Sequence, residues 1–447
     1  MAEFYSIKKP DLSKVNKEKV ISRFFNGQQG DSFLFLENTF NPYISWDKLK
    51  YKEPIPRGYS REELWQILKL MRKARSFPSP IKSENGKIFT WLKLPKLEKF
   101  FHEIDLNTGG ELFSSKAETD KQEKQRLISR GIMEEAIASS QLEGASTSRK
   151  IAKQFLKEGR KPKNESEQMI LNNYTTMKLI EEDYKDRHMD LDLLMELHGM
   201  ITKDTLTPDG EKPKLRSEQD EIFVTDKASG IVYHKAPEMP FVKKELNRFI
   251  KFVNDESETL FVHPVIKAIM LHFWIGYLHP FTDGNGRIAR LLFYWYLLQK
   301  KYWAFAYLPI SKIIKKSPVQ YTMAYVYSEQ DDNDLTYFID YHTKKIEQAV
   351  EEFKDYLDKQ AAINSTMGRA GKMSHGFNER QVKLLQFLYG EPSEKTSIRI
   401  HMNVFQVANK TAIKDLKELL KLGFLEQNKE GKTIYYYITE KAKKLFL

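Results

Sequence analysis

The chain has 447 residues, 41% hydrophobic and 30% charged, which is the balance of a folded protein of several domains and excludes a disordered one. It contains no cysteine, so disulfides, thiolate catalysis and Cys-bound zinc are excluded. No apolar run reaches the roughly 18 residues of a membrane span, and the first residues lack a leader pattern, so a cytoplasmic protein without a membrane partner is expected. The formal net charge of +11 fits either a lysine-rich solvated surface or an anionic partner, nucleotide or nucleic acid.

Residues 1–123 read as a partly helical N-terminal region. Ser60 followed by Glu63 is a capping box opening a helix over 60–71, and Pro95 sits in the first turn of another over 94–101. Trp46, Trp65 and Trp91 are expected in the core. Residues 124–365 carry apolar residues at helical spacing over 124–142, 147–157, 163–184, 190–203, 240–254, 263–278, 285–301, 310–326 and 333–357. One hairpin interrupts them: a strand over 221–225 containing Ile222, Phe223, Val224 and Thr225, a turn over 226–230, and a strand over 231–234. A lone hairpin is marginally stable and needs a packing partner or a ligand.

Residues 375–447 read as helices over 378–388, 397–404 and 410–420, followed by a hairpin with strands at 423–426 and 433–438, the order of a winged helix. The predicted fold class is therefore mainly α, a helical domain with a small β-hairpin and a C-terminal winged-helix domain. Lys410, Lys414 and Lys417 recur along the third helix, and residues 371–447 hold 14 Lys/Arg against 8 Asp/Glu. That excess suits DNA, although Asp415 and Glu418 dilute it, and a protein-docking or dimerising module is the alternative.

The segment 279–290 reads His-Pro-Phe-Thr-Asp-Gly-Asn-Gly-Arg-Ile-Ala-Arg. Asp283-Gly284-Asn285-Gly286 demands a turn, and a helix follows it. The first N–H groups of that helix have no intrahelical acceptor and form an anion site. Arg287 and Arg290, three apart, offer guanidinium forks to phosphate oxygens. Asp283 is a hard oxygen ligand suited to magnesium beside a phosphate, and His279 is a base that works near neutral pH. Phe281 is expected to pack and anchor the loop. This set suits transfer of part of a nucleoside triphosphate.

The segment resembles the signature of the Fic family, H-P-F-x-D-G-N-G-R-x-x-R, at every defined position. The resemblance implies a Fic-type helical domain that binds ATP with Mg2+ and transfers AMP to a hydroxyl of a target protein and of itself. Residue by residue, it implies that His279 deprotonates the hydroxyl and Asp283 binds magnesium. Gly284, Asn285 and Gly286 would stabilise the α-phosphate, Arg287 the outer phosphates, and Arg290 the γ-phosphate. Members that phosphorylate carry lysine where Gly286 stands, so glycine favours AMP transfer. The hairpin would be the flap that holds the target by strand addition. Tyr321 and Tyr325 are candidates to stack on adenine, with core packing as the alternative.

Ser139-Ser140-Gln141-Leu142-Glu143-Gly144 closes the helix of about 124–143. Alone, Glu143 would read as a solvated residue before a glycine cap. The string resembles the Fic inhibitory motif S/T-x-x-x-E-G/N, which implies that Glu143, with Ser139 opening the motif, pairs with Arg290 in place of the γ-phosphate. The expected function is an auto-inhibited protein adenylyltransferase. The alternatives are another nucleotidyl transfer, removal of AMP, or a nucleotide-sensing DNA-binding regulator. The expected partners are target proteins, DNA through the tail, and a second copy of the chain.

Overall fold

A computed structural model describes residues 3–26, 30–106, 121–205, 213–226, 229–256, 261–374, 376–391 and 394–446. The N-terminal region holds α1 (Lys17–Asn26), α2 (Gly30–Glu37), α3 (Trp46–Leu49), α4 (Arg61–Arg75), β1 (Ser76–Lys82), β2 (Ile88–Leu92) and α5 (Lys96–Ile104). The central region follows with α6 (Lys121–Leu142), α7 (Arg149–Glu158), α8 (Glu165–Glu182), α9 (Leu191–Thr202), β3 (Phe223–Thr225) and β4 (Val232–Lys235). It continues with α10 (Met239–Val253), α11 (Pro264–Leu278), α12 (Asn285–Gln299), α13 (Ile310–Ile314), α14 (Pro318–Gln330) and α15 (Thr336–Ser374). The tail holds α16 (Glu379–Gly390), α17 (Ile398–Phe405), α18 (Asn409–Lys421), β5 (Leu425–Glu430), β6 (Thr433–Ile438) and α19 (Glu440–Lys443).

The capping box at Ser60 and Glu63 is formed, with both reciprocal hydrogen bonds. Trp46, Trp65 and Trp91 are buried. The β1–β2 hairpin departs from expectation, because Pro78 and Pro80 argue against a strand. It forms because β1 needs to pair on one side only, against β2. The helix expected over 310–326 is two helices, because Pro318 removes a donor and opens α14 afresh. The helix expected to end near 357 runs on to Ser374 as α15.

One hydrophobic core runs from Val20 to Phe353, so the N-terminal helices and the central helices share an interior. At its centre lies α11, in which every residue from Val265 to Leu278 is buried; a helix apolar all round is stable only inside. It packs beside α12, buried from Arg287 through Leu298. The tail has its own core, built on Leu385, Leu388, Leu416, Leu419 and Phe424. Its order is three helices and an antiparallel hairpin, with Thr396 bridging to Tyr436 on the hairpin's outer edge. Of the tail expected over 375–447, His375, Pro392, Ser393 and Leu447 lie outside the described residues.

Candidate active site

The site is the turn between α11 and α12. His279 caps α11 in the left-handed region (φ 45°), its N–H donating to the Ile275 carbonyl (3.0 Å). Gly284 begins α12, also left-handed at φ 80°. A Cβ there would stand 3.0 Å from the Thr202 methyl and 3.2 Å from His198 Nε2, so glycine is required for backbone conformation and for space. The turn between them is stapled. Asn285 Nδ2 donates to the Phe281 carbonyl (2.8 Å), and its Oδ1 accepts from the Phe281 N–H (3.0 Å). The Asn285 side chain is thus committed to the loop, and only its backbone remains for the phosphate role expected of it. Phe281 is fully buried and stacks on the His198 ring at 3.6 Å, as its expected anchoring role requires.

His279 donates from Nδ1 to the Gly276 carbonyl, which fixes the tautomer and leaves Nε2 as the free acceptor. Burial, aided by neighbouring His234, lowers its pKa from 6.5 to about 4, so it is neutral at pH 7. Arg287 is buried; Nη1 donates to the Ile201 carbonyl (2.9 Å), and Nη2 lies 3.9 Å from Asp283. Its buried Nε has no hydrogen-bond partner. The Asp283 carboxylate is half exposed, while its backbone carbonyl is held by His198 Nε2 (2.9 Å). The magnesium role fits one carboxylate that shares the ion with substrate oxygens. Among the described residues no group of three acidic, histidine or cysteine side chains could hold a metal ion by itself.

Glu143 stands over the start of α12. Arg290 Nη2 donates to Glu143 Oε1 (2.7 Å), while the same guanidinium donates to Ser139 Oγ (2.9 Å) and to the Ser139 carbonyl (3.0 Å). A Cβ on Gly286 would lie 2.1 Å from Glu143 Oε1, so the carboxylate rests directly on the glycine. Burial pushes the Glu143 carboxyl up, but Arg290, Arg287 and His279 together hold it below its ordinary value, so an anion lies at the start of α12. The helix carrying it is clamped. Gly131 of α6 leaves no room for a Cβ against the backbone of Ala306 and Tyr307. Buried Glu135 accepts from Tyr294 Oη (2.8 Å) and the Ser311 N–H (2.8 Å), and Glu134 accepts from Arg149 Nε (2.8 Å) on α7.

Two residues outside the motif complete the site, and spacing gave no sign of either. Buried Arg216 donates from Nε to the His279 carbonyl (2.8 Å), from Nη1 to the Asp220 carbonyl (3.1 Å) and from Nη2 to the Pro237 carbonyl. It pins the His279 turn to both ends of the hairpin. His234 on β4 bonds Glu329 Oε2 (2.7 Å) and the Tyr277 carbonyl (2.9 Å), its ring 5.9 Å from that of His279. Burial pushes its pKa down, but the Glu329 carboxylate outweighs burial and holds it above 6.5.

Of the expected flap strand, Phe223, Val224 and Thr225 pair with β4, and Ile222 extends the pairing through a bond from the Ala236 N–H to its carbonyl (3.0 Å). In the expected turn, Lys227 and Ala228 lie outside the described residues. Tyr321 and Tyr325 both pack against the core: Tyr321 Oη meets His272 Nε2 (2.8 Å), and Tyr325 stacks on Phe273 at 5.3 Å.

Residues 188–297 match the model of the Fic/DOC family. The chain is 32% identical over 108 residues to the protein adenylyltransferase Fic of Nematostella vectensis, covering 24% of this chain and 22% of that one. It is 46% identical over 52 residues to the protein adenylyltransferase fic-1 of Caenorhabditis elegans, 12% of this chain and 10% of the relative. The chain thus spans only a minor part of the length of these curated relatives. Among solved structures, a singly substituted form of Fic-1 of C. elegans aligns at TM-score 0.49 and 16% identity over 78% of this chain and 90% of the other. A Fic family protein of Desulfovibrio desulfuricans G20 aligns at 0.48 and 19% identity, over 77% and 96%. The motif turn, His279 and both arginines all fall within the matched residues, and over that stretch the chain carries a Fic/DOC family domain.

Proposed function

We propose that the protein transfers AMP from ATP to a hydroxyl of a target protein and of itself, and that Glu143 holds it inactive. The observation that carries this reading is the Glu143 carboxylate lying on Gly286 and bonded to Arg290 beside the turn that holds neutral His279. An anion-shaped site filled by the chain's own anion is a site for which a substrate anion competes. With Glu143 displaced, Arg290 and Arg287 would meet the outer phosphates, and the first N–H groups of α12 the α-phosphate.

His279 Nε2 takes the proton of the hydroxyl. The hydroxyl oxygen bonds to the α-phosphorus, the bond to the bridging oxygen breaks, and pyrophosphate leaves. Asp283 would hold magnesium with phosphate oxygens, where the ion neutralises charge on the triphosphate. Arg216 is a positioning residue, since it fixes the backbone that carries His279. The test is mass spectrometry of the Glu143→Gly variant incubated with ATP and lysate. A gain of about 329 Da on serine, threonine or tyrosine is expected, and a gain of phosphate alone, or of nothing, refutes it.

We further infer that the tail is a winged helix that presents α18 to duplex DNA. Lys410, Lys414, Lys417 and Lys421 recur every three or four residues on one exposed stripe of α18. The preceding helix is occupied elsewhere, Arg399 donating to the Gly159 carbonyl (3.0 Å) and Asn403 to the Lys157 carbonyl (3.0 Å). Binding that weakens steeply with salt is expected, and binding insensitive to salt, or none, sinks this role.

A further inference from the structure

His234 stands on β4 with both ring nitrogens engaged. Nδ1 meets Glu329 Oε2 in the last turn of α14 (2.7 Å), and Nε2 meets the Tyr277 carbonyl near the end of α11 (2.9 Å). An ionised carboxylate and a carbonyl oxygen only accept, so each nitrogen must carry a proton. A histidine with two N–H groups is an imidazolium. The side chain is 8% exposed, and a charge that far from water persists only when it is paired, here with Glu329.

Elsewhere β4 is held by main-chain bonds, to β3 and, at Val232, to Glu3 and Tyr5 (2.8 Å each). The His234 ring joins the strand to α11 two residues before His279, and its centre lies 5.9 Å from that of the His279 ring. The other charged groups acting on His279 are Glu143, just past the end of α6, and Arg216, from the segment before β3. Those acting on His234 are Glu329 and Arg216. Burial pushes the neighbouring Tyr277 phenol up, so it stays neutral. Two cations, His234 and Arg216, thus oppose a proton on His279, and one anion, Glu143, favours it.

We propose that His234 is a positioning residue held as an imidazolium, which ties β4 to the end of α11 that bears His279 and keeps that base free of a proton by its fixed positive charge. With both nitrogens committed, His234 has none left to take a proton from a hydroxyl, so it acts through His279. At about 6 Å and an effective dielectric constant of about 20, two unit charges repel enough to move a titration by about two pH units. The paired Glu329 cancels part of that field, so about one pH unit is expected. A base kept neutral works at lower pH, and a proton that it takes from a hydroxyl is lost again to water more readily. The proposal rests on the reading that His279 is the base.

The test uses the full chain with isotope-labelled histidine and nitrogen-detected nuclear magnetic resonance. The His234 signals are those lost in His234→Gln and moved in Glu329→Gln, the second variant guarding against misfolding of the first. In the parent at about pH 7.5 both His234 nitrogens should carry protons, and Glu329→Gln should strip one of them. The His279 titration, followed in the same spectra, should move from about 4 up by about one pH unit in His234→Gln. In the Glu143→Gly background the acid limb of AMP transfer should move by the same amount, with ATP affinity near neutral pH unchanged. An unprotonated His234 nitrogen in the parent, or an unmoved His279 titration, overturns the proposal. So does a rate that falls equally at every pH, which a merely structural role predicts. The spectra need no ATP, so the two readings fail separately. The expected spectra with no AMP transfer leave His234 as assigned and remove the transferase, whereas transfer with an acid limb indifferent to His234 does the reverse.

Discussion

Replacing Glu143 with glycine removes one partner of a charge-assisted hydrogen bond of 2.7 Å to a guanidinium that is 3% exposed. Bonds to charged groups contribute about 1.5–3 kcal/mol, and at about 1.36 kcal/mol per tenfold that range corresponds to roughly 10- to 150-fold. The Glu143 side chain is 23% exposed, so water already weakens the pair and the lower half of the range applies. Arg290 keeps both bonds to Ser139 and has no reason to leave its place. Residue 143 follows the last turn of α6, so the glycine costs little helix propensity. The expected outcome is a rise of about tenfold or more in self-modification, read as radiolabel from α-labelled ATP. ATP affinity, measured by calorimetry, should tighten by a similar factor. A folded variant that incorporates label no faster than the parent refutes the argument. A variant that incorporates faster with unchanged ATP affinity refutes the competition while leaving a brake of another kind.

Three further outcomes follow from the same geometry. His279→Asn, chosen because asparagine tolerates the left-handed backbone found there, should reduce transfer by about 10²–10⁴-fold in the Glu143→Gly background; transfer at the parental rate removes His279 as base. Gly286→Ala forces the Glu143 carboxylate off its seat, since the new methyl would stand 2.1 Å from it. It should destabilise the parent by about 1–3 kcal/mol and the Glu143→Gly variant by at least about 1 kcal/mol less, read from denaturant melts; additive effects would place the carboxylate elsewhere. The last outcome concerns pH. Burial, the largest cause at each, lowers His279 and His198 to about 4 and His342 to about 3. These groups are protonated more readily unfolded than folded. Their contribution to stability is therefore intact above pH 6.5 and lost as pH falls toward 4, by at most about 1.4 kcal/mol per pH unit each. His234, raised instead, works in the opposite sense and loses its contribution as pH rises through its folded value. Burial lowers His263, His272 and His401 as well, so with six lowered rings against one raised the melting temperature should fall between pH 6.5 and 4.5, and a flat profile there contradicts the burial of these rings as neutral groups.

The motif turn was legible because its parts are contiguous. Turn, anion site and both arginines lie within 279–290, where helix geometry alone says what faces what. Glu143 was legible only through its resemblance to a motif, since by spacing it is a polar residue before glycine. Arg216 was not legible at all. It sits in a stretch without periodicity, and its role exists only when three carbonyls from separate segments converge. The hairpin could be read as two strands, but not that residues 3–5 would add a third through main-chain bonds that carry no sequence signal. The β1–β2 hairpin was missed because local propensity was overruled by packing: β2 buries Phe89, Trp91 and Leu92 in the shared core.

The residues that sequence reading missed bear on how the proposed brake would work. The loop is already set by three independent ties: Asn285 to Phe281, His198 to the Asp283 carbonyl, and Arg216 to the His279 carbonyl. None of them involves Glu143. His279 already has its tautomer fixed and its Nε2 free. On the proposed reading, releasing Glu143 would require no rebuilding of the turn, and a resting protein would differ from a competent one by the place of a single carboxylate. A brake of this kind answers to whatever moves α6 or outcompetes its anion. Because α6 is clamped at Gly131, Glu134 and Glu135, the cheaper motion is rotation of the Glu143 side chain at the helix end, beyond the last clamp. Loosening the clamp by Glu135→Gln should then change stability more than it changes the ratio of parental to Glu143→Gly activity.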